Sequence, residues 1–325
     1  MKKLIAIAIA AAVSAPALAD TKLYGQLHAS YDILDADGAG VKSINSVASN
    51  SSRIGVKGSS ELNGGLKVIY QAEWGMDTGG KAGTKDAVFS NRNQVVGIAG
   101  GFGALLIGRH DTPFKTVGRK ADLFWSTQLG QNRNVTNPGT WDLRVNNVIA
   151  YQTPKMGGFQ SLAAYVTDLG GTDDNTAFSI NGFYNAGPIL VGAGYETHDL
   201  EGSEDINAVR LMGAYKVGPA KLVGFYQTED NAGVDADVIG IGAAYKMGAG
   251  TIKGQYYNRE VDGGIDSDLV AVGYDHKLGK KTDVYAQFAT ISDGGKLGGA
   301  GHGESIQSSD GGDADGFSIG IRHKF

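Results

Sequence analysis

The sequence predicts an all-β protein, a single antiparallel β-barrel of 16 strands that spans a membrane. Three observations predict this fold: apolar and polar side chains alternate along most of the chain, tight turns recur, and the last strand runs to the final residue. Mean hydropathy is only −0.16. That value fits a barrel wall, because only alternate side chains of each strand face lipid. No run of 18 apolar residues follows the N-terminal segment, which excludes a helical membrane protein.

The first 19 residues are predicted to be a cleaved signal peptide. Lys2 and Lys3 precede an apolar run, residues 4–13, that is too short to cross a bilayer, and Ala17-Leu18-Ala19 forms a small-residue cleavage site. The mature domain is then residues 20–325, and it is exported. The chain has no cysteine, so a lipoprotein anchor, disulfides and thiolate metal sites are excluded.

The charge balance argues against nucleic acid as a partner. Without Lys2 and Lys3, 27 basic residues face 34 acidic ones, a net charge of −7. Proteins that bind nucleic acid neutralise phosphates with an excess of Lys and Arg. The six prolines and 51 glycines favour many strands and turns over helices.

Alternation begins with the first mature residues. Leu23, Gly25, Leu27, Ala29 and Tyr31 occupy the odd positions of the first strand, and polar residues occupy most of the even ones. A period of two places one apolar face on the strand. The next two strands repeat the pattern and are joined by a tight turn at residues 62–65, which indicates a hairpin.

The later half of the chain contains a repeat of one hairpin about every 30 residues. Short turns are predicted near seven positions: Asn63, Gly101, Gly157, Gly187, Gly218, Gly248 and Gly279. Two strands per turn plus the first and last strands give 16, the even number that a closed bacterial barrel requires. The eight remaining connections are longer and rich in Asp and Glu, whereas Lys residues mark the short turns.

The final strand closes the barrel. Phe317, Ile319, Ile321 and Phe325 share one face, and Arg322 lies on the other. Arginine that faces lipid at mid-membrane costs about 2–4 kcal/mol, so Arg322 is expected to face the lumen. The strand must pair with the first strand, because an open edge in hydrocarbon leaves backbone groups without partners.

One tract, residues 110–143, shows no alternation. A structureless run of that length within a compact domain counts against a fold assignment unless the run is functional. The sequence therefore predicts that this tract folds into the space enclosed by the wall.

On these features the chain resembles the Gram-negative general porins, non-specific trimeric channels of the outer membrane. The segments that carry the resemblance are residues 23–27, residues 53–58, the turn at 100–103 that leads to Gly108 and Arg109, the long third loop, and residues 320–325. The resemblance implies a homotrimer in the cell outer membrane, short periplasmic turns, eight longer external loops, and a third loop that narrows the pore. It also implies contact with outer-membrane lipid and lipopolysaccharide, and a C-terminal strand, ending in Phe325, that the assembly machinery recognises.

The resemblance further implies a constriction in which charges on the loop face arginines on the wall. Arg53, Arg92 and Arg144 match the wall arginines, and alternation places them on polar faces; Asp122 matches an acidic loop residue. Arg109 is a further candidate if a bulge redirects it. Arg119 and Lys120 contribute basic charge from the loop, and Lys57, Lys67 and Arg322 are expected to line the lumen more generally.

The third loop departs from the family pattern in its charge. Between residues 112 and 134 it carries Lys115, Arg119, Lys120 and Arg133 against Asp122 alone, and the second loop acid of enteric porins is absent. This composition predicts a diffusion channel for small hydrophilic solutes and ions with a weak preference for anions.

Three alternatives remain at this stage: a channel specific for phosphate or another anionic nutrient, an outer-membrane barrel enzyme, and a soluble β-sandwich adhesin. Gly316, Ser318 and Gly320 formally match a nucleophile elbow, yet they lie within an alternating strand and not at a strand–turn–helix. The histidines show no metal-ligand spacing. No catalytic residue, metal or cofactor is predicted.

Overall fold

The computed structural model describes residues 21–79, 89–136, 140–171, 174–299, 303–309 and 311–325. The predicted signal peptide lies outside these residues, and so do Ala300 to His302 and Asp310 of the last long loop. Within the described residues, no helix has both the length and the apolar character needed to cross a bilayer.

Most of the described chain is β-structure. The strands are β1 (Lys22–Ala36), β2 (Ile44–Ser49), β3 (Arg53–Glu61), β4 (Lys67–Met76), β5 (Phe89–Gly100), β6 (Gly103–Asp111), β7 (Arg144–Gln152), β8 (Phe159–Val166), β9 (Thr176–Ala186), β10 (Ile189–Asp199), β11 (Ile206–Val217), β12 (Ala220–Asn231), β13 (Asp235–Met247), β14 (Gly250–Val261), β15 (Ser267–Lys277), β16 (Thr282–Ile291), β17 (Lys296–Gly298), β18 (Ser305–Gln307) and β19 (Ala314–Lys324). Two α-helices occur in the described part of the chain, α1 (Pro113–Ala121) and α2 (Arg133–Thr136).

The predicted closed barrel of 16 antiparallel strands is confirmed. β2 and β3 both pair with β1, and together they occupy the place of one strand in the wall. β19 pairs with β16 on one side and with β1 on the other, where Ala29 lies opposite Ile321. The last pair continues this register, since Phe325 and Gly25 exchange two backbone hydrogen bonds of 3.2 and 3.3 Å. The sheet therefore has no open edge in the membrane.

The seven predicted short turns all occur, and they lie at the end of the barrel where β1 begins and β19 ends. Between β9 and β10 the connection is Gly187-Pro188, with a φ of 55° at Gly187. Glycine suits this first turn position, which requires a positive φ in the type II′ hairpin turn. The other end carries the eight remaining connections. The prediction that these are the longer ones is wrong for residues 232–234 between β12 and β13, which are fewer than the residues of the turns at 62–66 and 153–158.

The alternation has the predicted result. Along β1 the side chains of Leu27, Tyr31 and Ile33 are exposed on the outer face, whereas His28 and Asp32 are buried on the inner face. Phe317, Ile319, Ile321 and Phe325 are likewise exposed on the outside. The apolar side chains of the wall therefore face lipid and the polar ones face the lumen, which is the reverse of the arrangement in a soluble protein.

The third loop fills part of the lumen. β6 ends at Asp111 and β7 begins at Arg144, so the loop is residues 112–143, two residues shorter at its start than predicted because His110 and Asp111 pair with β7. Its apolar side chains join a buried cluster with the inner faces of β11 to β16. Phe124 and Leu129 are fully buried there. The hairpin of β17 and β18 packs on the same cluster through Leu297 and Ile306.

Candidate pore constriction

Helix α1 starts the inward path of the third loop. Thr112 caps the helix, since its Oγ1 accepts a hydrogen bond from the Lys115 backbone at 3.4 Å, and Pro113 occupies the first turn. Phe114, Val117 and Ala121 recur at helical spacing and form the buried side of the helix. The sequence therefore specifies an amphipathic helix within a tract that lacks strand periodicity.

The buried side of α1 lies on the inner faces of β9 to β11. The Phe114 backbone donates to Ser179 Oγ at 3.0 Å, and Asn181 Nδ2 donates to both Pro113 O and Thr116 Oγ1 at 2.7 Å. The bond to Ser179 satisfies one of the N–H groups that lack an intrahelical partner at the start of the helix, and the two bonds from Asn181 tie the first turn to the wall. As a result α1 lies flat against the wall and leaves the opposite side of the lumen open.

Arg210 anchors both ends of the third loop to the wall. Its fully buried guanidinium donates from Nη1 to Asp142 Oδ1 at 2.6 Å and from Nε to Gln227 Oε1 at 2.7 Å. It also lies 4.0 Å from the centroid of the Phe114 ring. Gly118 makes this approach possible, because a Cβ there would lie 2.6 Å from Arg210 Nη1.

The second half of the loop is fixed by Asp122. Its carboxylate accepts hydrogen bonds from the Phe124 backbone at 2.8 Å, from Gln255 Nε2 at 2.9 Å and from the Asn132 backbone at 3.1 Å. Burial raises the pKa of Asp122 to about 6, although these donors pull it downward. Lys253 adds a bond from Nζ to the Leu123 carbonyl at 3.1 Å.

Strands β3 to β7 and the first turn of α1 carry a group of alternating basic and acidic side chains, here called the arginine–carboxylate group. It consists of Arg53, Arg92, Arg144, Lys115, Glu73 and Asp111. Glu73 pairs with Arg92 and, at 3.5 Å, with Arg53. Asp111 Oδ1 lies 3.0 Å from both Arg144 Nη2 and Lys115 Nζ. The group joins wall strands β3 to β7 to the first turn of α1.

The prediction that alternation places Arg92 on a polar face is wrong, although Arg92 does lie in this group. Strict alternation would place Arg92 on the same face as Val96 and Ile98, which are exposed on the outside of the barrel. The register between β4 and β5 shifts between Ala72 and Trp74, so that Arg92 and Asn93 both lie opposite Glu73. Such a bulge redirects a side chain, and it turns Arg92 into the lumen.

The arginine–carboxylate group has a net positive charge. It contains four basic side chains and two acidic ones, which leaves a formal charge of +2. Arg119 and Lys120 are exposed on the next turn of α1 and increase the excess. Burial lowers the pKa of Lys115, with Arg144 acting in the same direction and Asp111 opposing both. This part of the lumen therefore presents more positive than negative charge.

Two residues predicted at the constriction lie elsewhere. The Asp122 carboxylate faces Gln255 of β14 and not the wall arginines. Arg109 keeps the register of Leu105 and Ile107, which are exposed on the outer face, and donates from Nη1 to Asn146 at 2.7 Å. A bulge does occur beside it, but the extra residue lies on β7, so Arg109 itself is not redirected.

The predicted lining residues lie at separate points of the wall. Arg322 forms a two-point pair with Asp283, with distances of 3.2 Å from Nε and 2.7 Å from Nη2. Lys57 Nζ lies 4.9 Å above the ring of Tyr24. Lys67 pairs with Glu61 at 2.7 Å near a short turn.

The sequence interpretation missed Glu73, Asp111, Asp142 and Arg210. For Glu73 a signal was present, since it lies on the polar face of β4 beside the matched arginine positions. Asp142 and Arg210 are 68 residues apart in the chain, and no local pattern links them. Asp142 adopts a left-handed backbone with a φ of 61°, a conformation that Asp tolerates better than most residues.

Comparison with known proteins supports the fold. The family model for Gram-negative porins matches residues 6–296. The chain belongs to the Gram-negative porin family. Outer membrane porin protein 32 of Delftia acidovorans is 30% identical over 207 residues, which cover 59% of this porin and 58% of that relative. The matched part is thus little more than half the length of the curated relative.

Two solved structures share the fold. The anion-selective porin from Comamonas acidovorans is 25% identical with a TM-score of 0.80, and the match covers 94% of this porin and 99% of that chain. OmpT of Vibrio cholerae, in a trimer form, is 19% identical with a TM-score of 0.70 over 94% and 99% of the two chains. Together with the closed barrel, these relatives place this porin in the Gram-negative outer membrane.

Proposed function

We propose that this porin is a diffusion channel for small hydrophilic solutes and ions, with a weak preference for anions. The observation that carries the proposal is the +2 formal charge of the arginine–carboxylate group, which lies where the third loop leaves the lumen narrow. Fixed charges act most strongly in a narrow, poorly screened passage. The likeness to an anion-selective porin, at 25% identity, supports the same sign.

The lumen is open along the inner faces of β3 to β7, beside the arginine–carboxylate group. A cavity of about 410 Å³ lies there, lined by Lys57, Gln71, His110 and Gln152 among others. Its side chains offer hydrogen-bond donors and acceptors without a single ligand-shaped arrangement. Donors and acceptors of this kind can take the place of the water molecules around many different small solutes. Diffusion without strict specificity requires such a lining.

A homotrimer is part of the proposal. A trimer form is described for OmpT, whose fold this porin shares, and the resemblance to general porins points the same way. The exposed apolar outer face also implies contact with membrane lipid and lipopolysaccharide, and the strand ending in Phe325 is proposed as the element recognised during assembly. Ion conduction in triplet steps, measured on purified protein in planar bilayers, tests the trimer; single independent steps contradict it.

The rival transport function is a channel specific for phosphate or a similar anion. The net positive charge of the arginine–carboxylate group favours an anion-specific channel over a cation channel. The same charge does not distinguish an anion-specific channel from a general diffusion channel. Phosphate titrated into a chloride solution separates the two: a specific channel shows saturable loss of chloride current, whereas a diffusion channel shows a proportional change only. For the enzyme alternative, we assign no catalytic residue.

Replacement of Arg92 and Arg144 by Ser tests the role of the group. The double change lowers its formal charge from +2 to 0, so the anion-to-cation permeability ratio is expected to fall. One charge at about 8 Å in water contributes about 0.5 kcal/mol, and the expected decrease is therefore at least about twofold. Lys281→Gln, a change in a short turn, is the matched control. An unchanged ratio in the double variant removes both arginines from the constriction.

A further inference from the structure

A second cavity of about 370 Å³ lies in the lumen beneath α1, here called the vestibule cavity. It is bounded by the last turn of α1 on one side and by the short-turn halves of β7 to β10 on the other. Lys155 borders it from the turn between β7 and β8. A solute that has passed the arginine–carboxylate group therefore meets this cavity before it leaves at the short-turn end.

The charges around the vestibule cavity all have one sign. Arg119, Lys120 and Lys155 line it, and none of the described lining residues is acidic. This differs from the arginine–carboxylate group, in which each base has an acidic neighbour. Burial lowers the pKa of Lys120, and the charge of Arg119 acts in the same direction. An anion between these two side chains would relieve their repulsion.

Part of the vestibule cavity lining is apolar, among polar side chains such as Gln160 and Asn185. Leu162, Phe183 and Leu190 line it beneath the basic side chains. Lys120 Nζ lies 5.0 Å from the centroid of the Phe183 ring, so a positive charge and an aromatic surface are directly adjacent. Contact between apolar side chains and the water of the lumen is unfavourable. Binding of the apolar part of a passing solute removes that surface from water and is therefore favourable.

We propose that the vestibule cavity is a binding subsite for small amphipathic carboxylates, with the carboxylate held by Arg119, Lys120 and Lys155 and the apolar tail on Phe183 and Leu190. The proposal rests on the proposed channel function, since the subsite is reached through the pore. The volume lies within the roughly 300–1,000 Å³ of small-molecule sites, which is enough for a ring-bearing acid with its water.

Single-channel recording with benzoate, acetate and benzyl alcohol tests the proposal. Each probe is added from the short-turn side to purified protein in a chloride solution. Benzoate is expected to reduce the chloride current in a saturable manner, at a concentration about tenfold lower than acetate. That factor is what burial of about 55 Å² of apolar surface supplies. Benzyl alcohol, which has the ring without the charge, is expected to have no saturable effect.

Three variants assign the effect to residues. Phe183→Ser is expected to abolish the difference between benzoate and acetate, and Lys155→Gln, in an exposed turn, to weaken the block by both. Lys281→Gln, a lysine of another short turn, is expected to leave the block unchanged. Heat-resistant migration on gels confirms that each variant has folded.

The outcomes separate failure of the subsite from failure of the channel. Normal chloride steps without saturable benzoate block, or with equal block by benzoate and acetate, overturn the subsite and leave the channel intact. A benzoate block that survives both Phe183→Ser and Lys155→Gln also overturns it. Absence of any chloride steps from folded protein overturns the channel function itself.

Discussion

At the scale of single residues, Arg210 decides whether the third loop stays inside the barrel. Its guanidinium contacts Asp142 near the end of the loop and Phe114 near its start, and it is fully buried. A buried ion pair adds little net stability compared with apolar residues, but removal of one partner leaves a buried charge without compensation. The pair therefore specifies the position of the loop more than it contributes to overall stability.

Arg210→Ala is expected to lower the free energy of unfolding by about 3 kcal/mol and to increase single-channel conductance, because Asp142 then keeps only Arg133, at 3.6 Å, as a charged partner and the loop is released. Thermal unfolding in detergent and bilayer recording measure the two effects. Arg210→Met combined with Asp142→Asn removes both charges, and we expect it to recover much of the stability. Conductance equal to that of the native protein in Arg210→Ala contradicts the anchor role.

Asp122 predicts a pH dependence of stability. Its pKa in the folded protein is about 6, above the value of about 3.9 for an unfolded chain. The folded state therefore takes up a proton as the pH falls through 6, and the stability that this gives is complete below about pH 4 and lost as the pH rises through 6. The unfolding temperature of the native protein, relative to that of Asp122→Asn, is expected to rise between pH 7 and pH 4.5. Asp262→Asn, in an external loop, serves as the control, and parallel curves for all three proteins contradict the assignment.

At the scale of elements, the strands and turns are predictable from sequence and the loop anchors are not. Alternation and the tight turns at Gly187 and Gly218 depend on neighbouring residues, so local patterns reveal them. The orientation of Arg92 depends on a bulge relative to β4, and the contact of Asp122 with Gln255 joins residues 133 positions apart. Pairing and packing of distant segments decide both, and a single sequence carries no local signal for either.

The closing strand makes a testable contact with the first strand. A Cβ at Gly25 would lie 2.2 Å from Cζ of Phe325 and 2.7 Å from the Arg53 carbonyl oxygen. Gly25→Ala is therefore expected to reduce the yield of folded barrel and to lower its stability by about 1–3 kcal/mol, the usual cost of overpacking. Gly224→Ala is the matched control, because no atom lies within 4 Å of a Cβ there. Equal refolding yields and unfolding temperatures for the two variants would refute this role of Gly25.

At the scale of the whole molecule, the charges form layers along the pore. The external connections carry acidic residues such as Glu201, Glu204 and Asp266, the constriction has a net positive group, and the short-turn end is rich in lysine. The acidic entrance opposes the positive constriction, so the preference for anions is expected to be weak. Glu229 is an exception to the acidic rim, since it is buried against Arg259 inside the barrel.

The electrostatic origin of the preference predicts a dependence on salt. Charges are screened over about 10 Å at 0.1 M ionic strength and about 3 Å at 1 M. The anion-to-cation permeability ratio is expected to approach 1 as the mean KCl concentration rises over this range. A ratio that stays constant points to a steric origin of the preference instead.

The reversal potential of the native porin in a KCl gradient tests the central claim most directly. The claim is that the third loop, fixed by Arg210 and Asp122 on one side, leaves a passage lined by a net positive group on the other. A modest potential of the sign that indicates chloride crossing faster than potassium is the predicted result. A potential of the opposite sign, which shows that potassium crosses faster, would contradict the account.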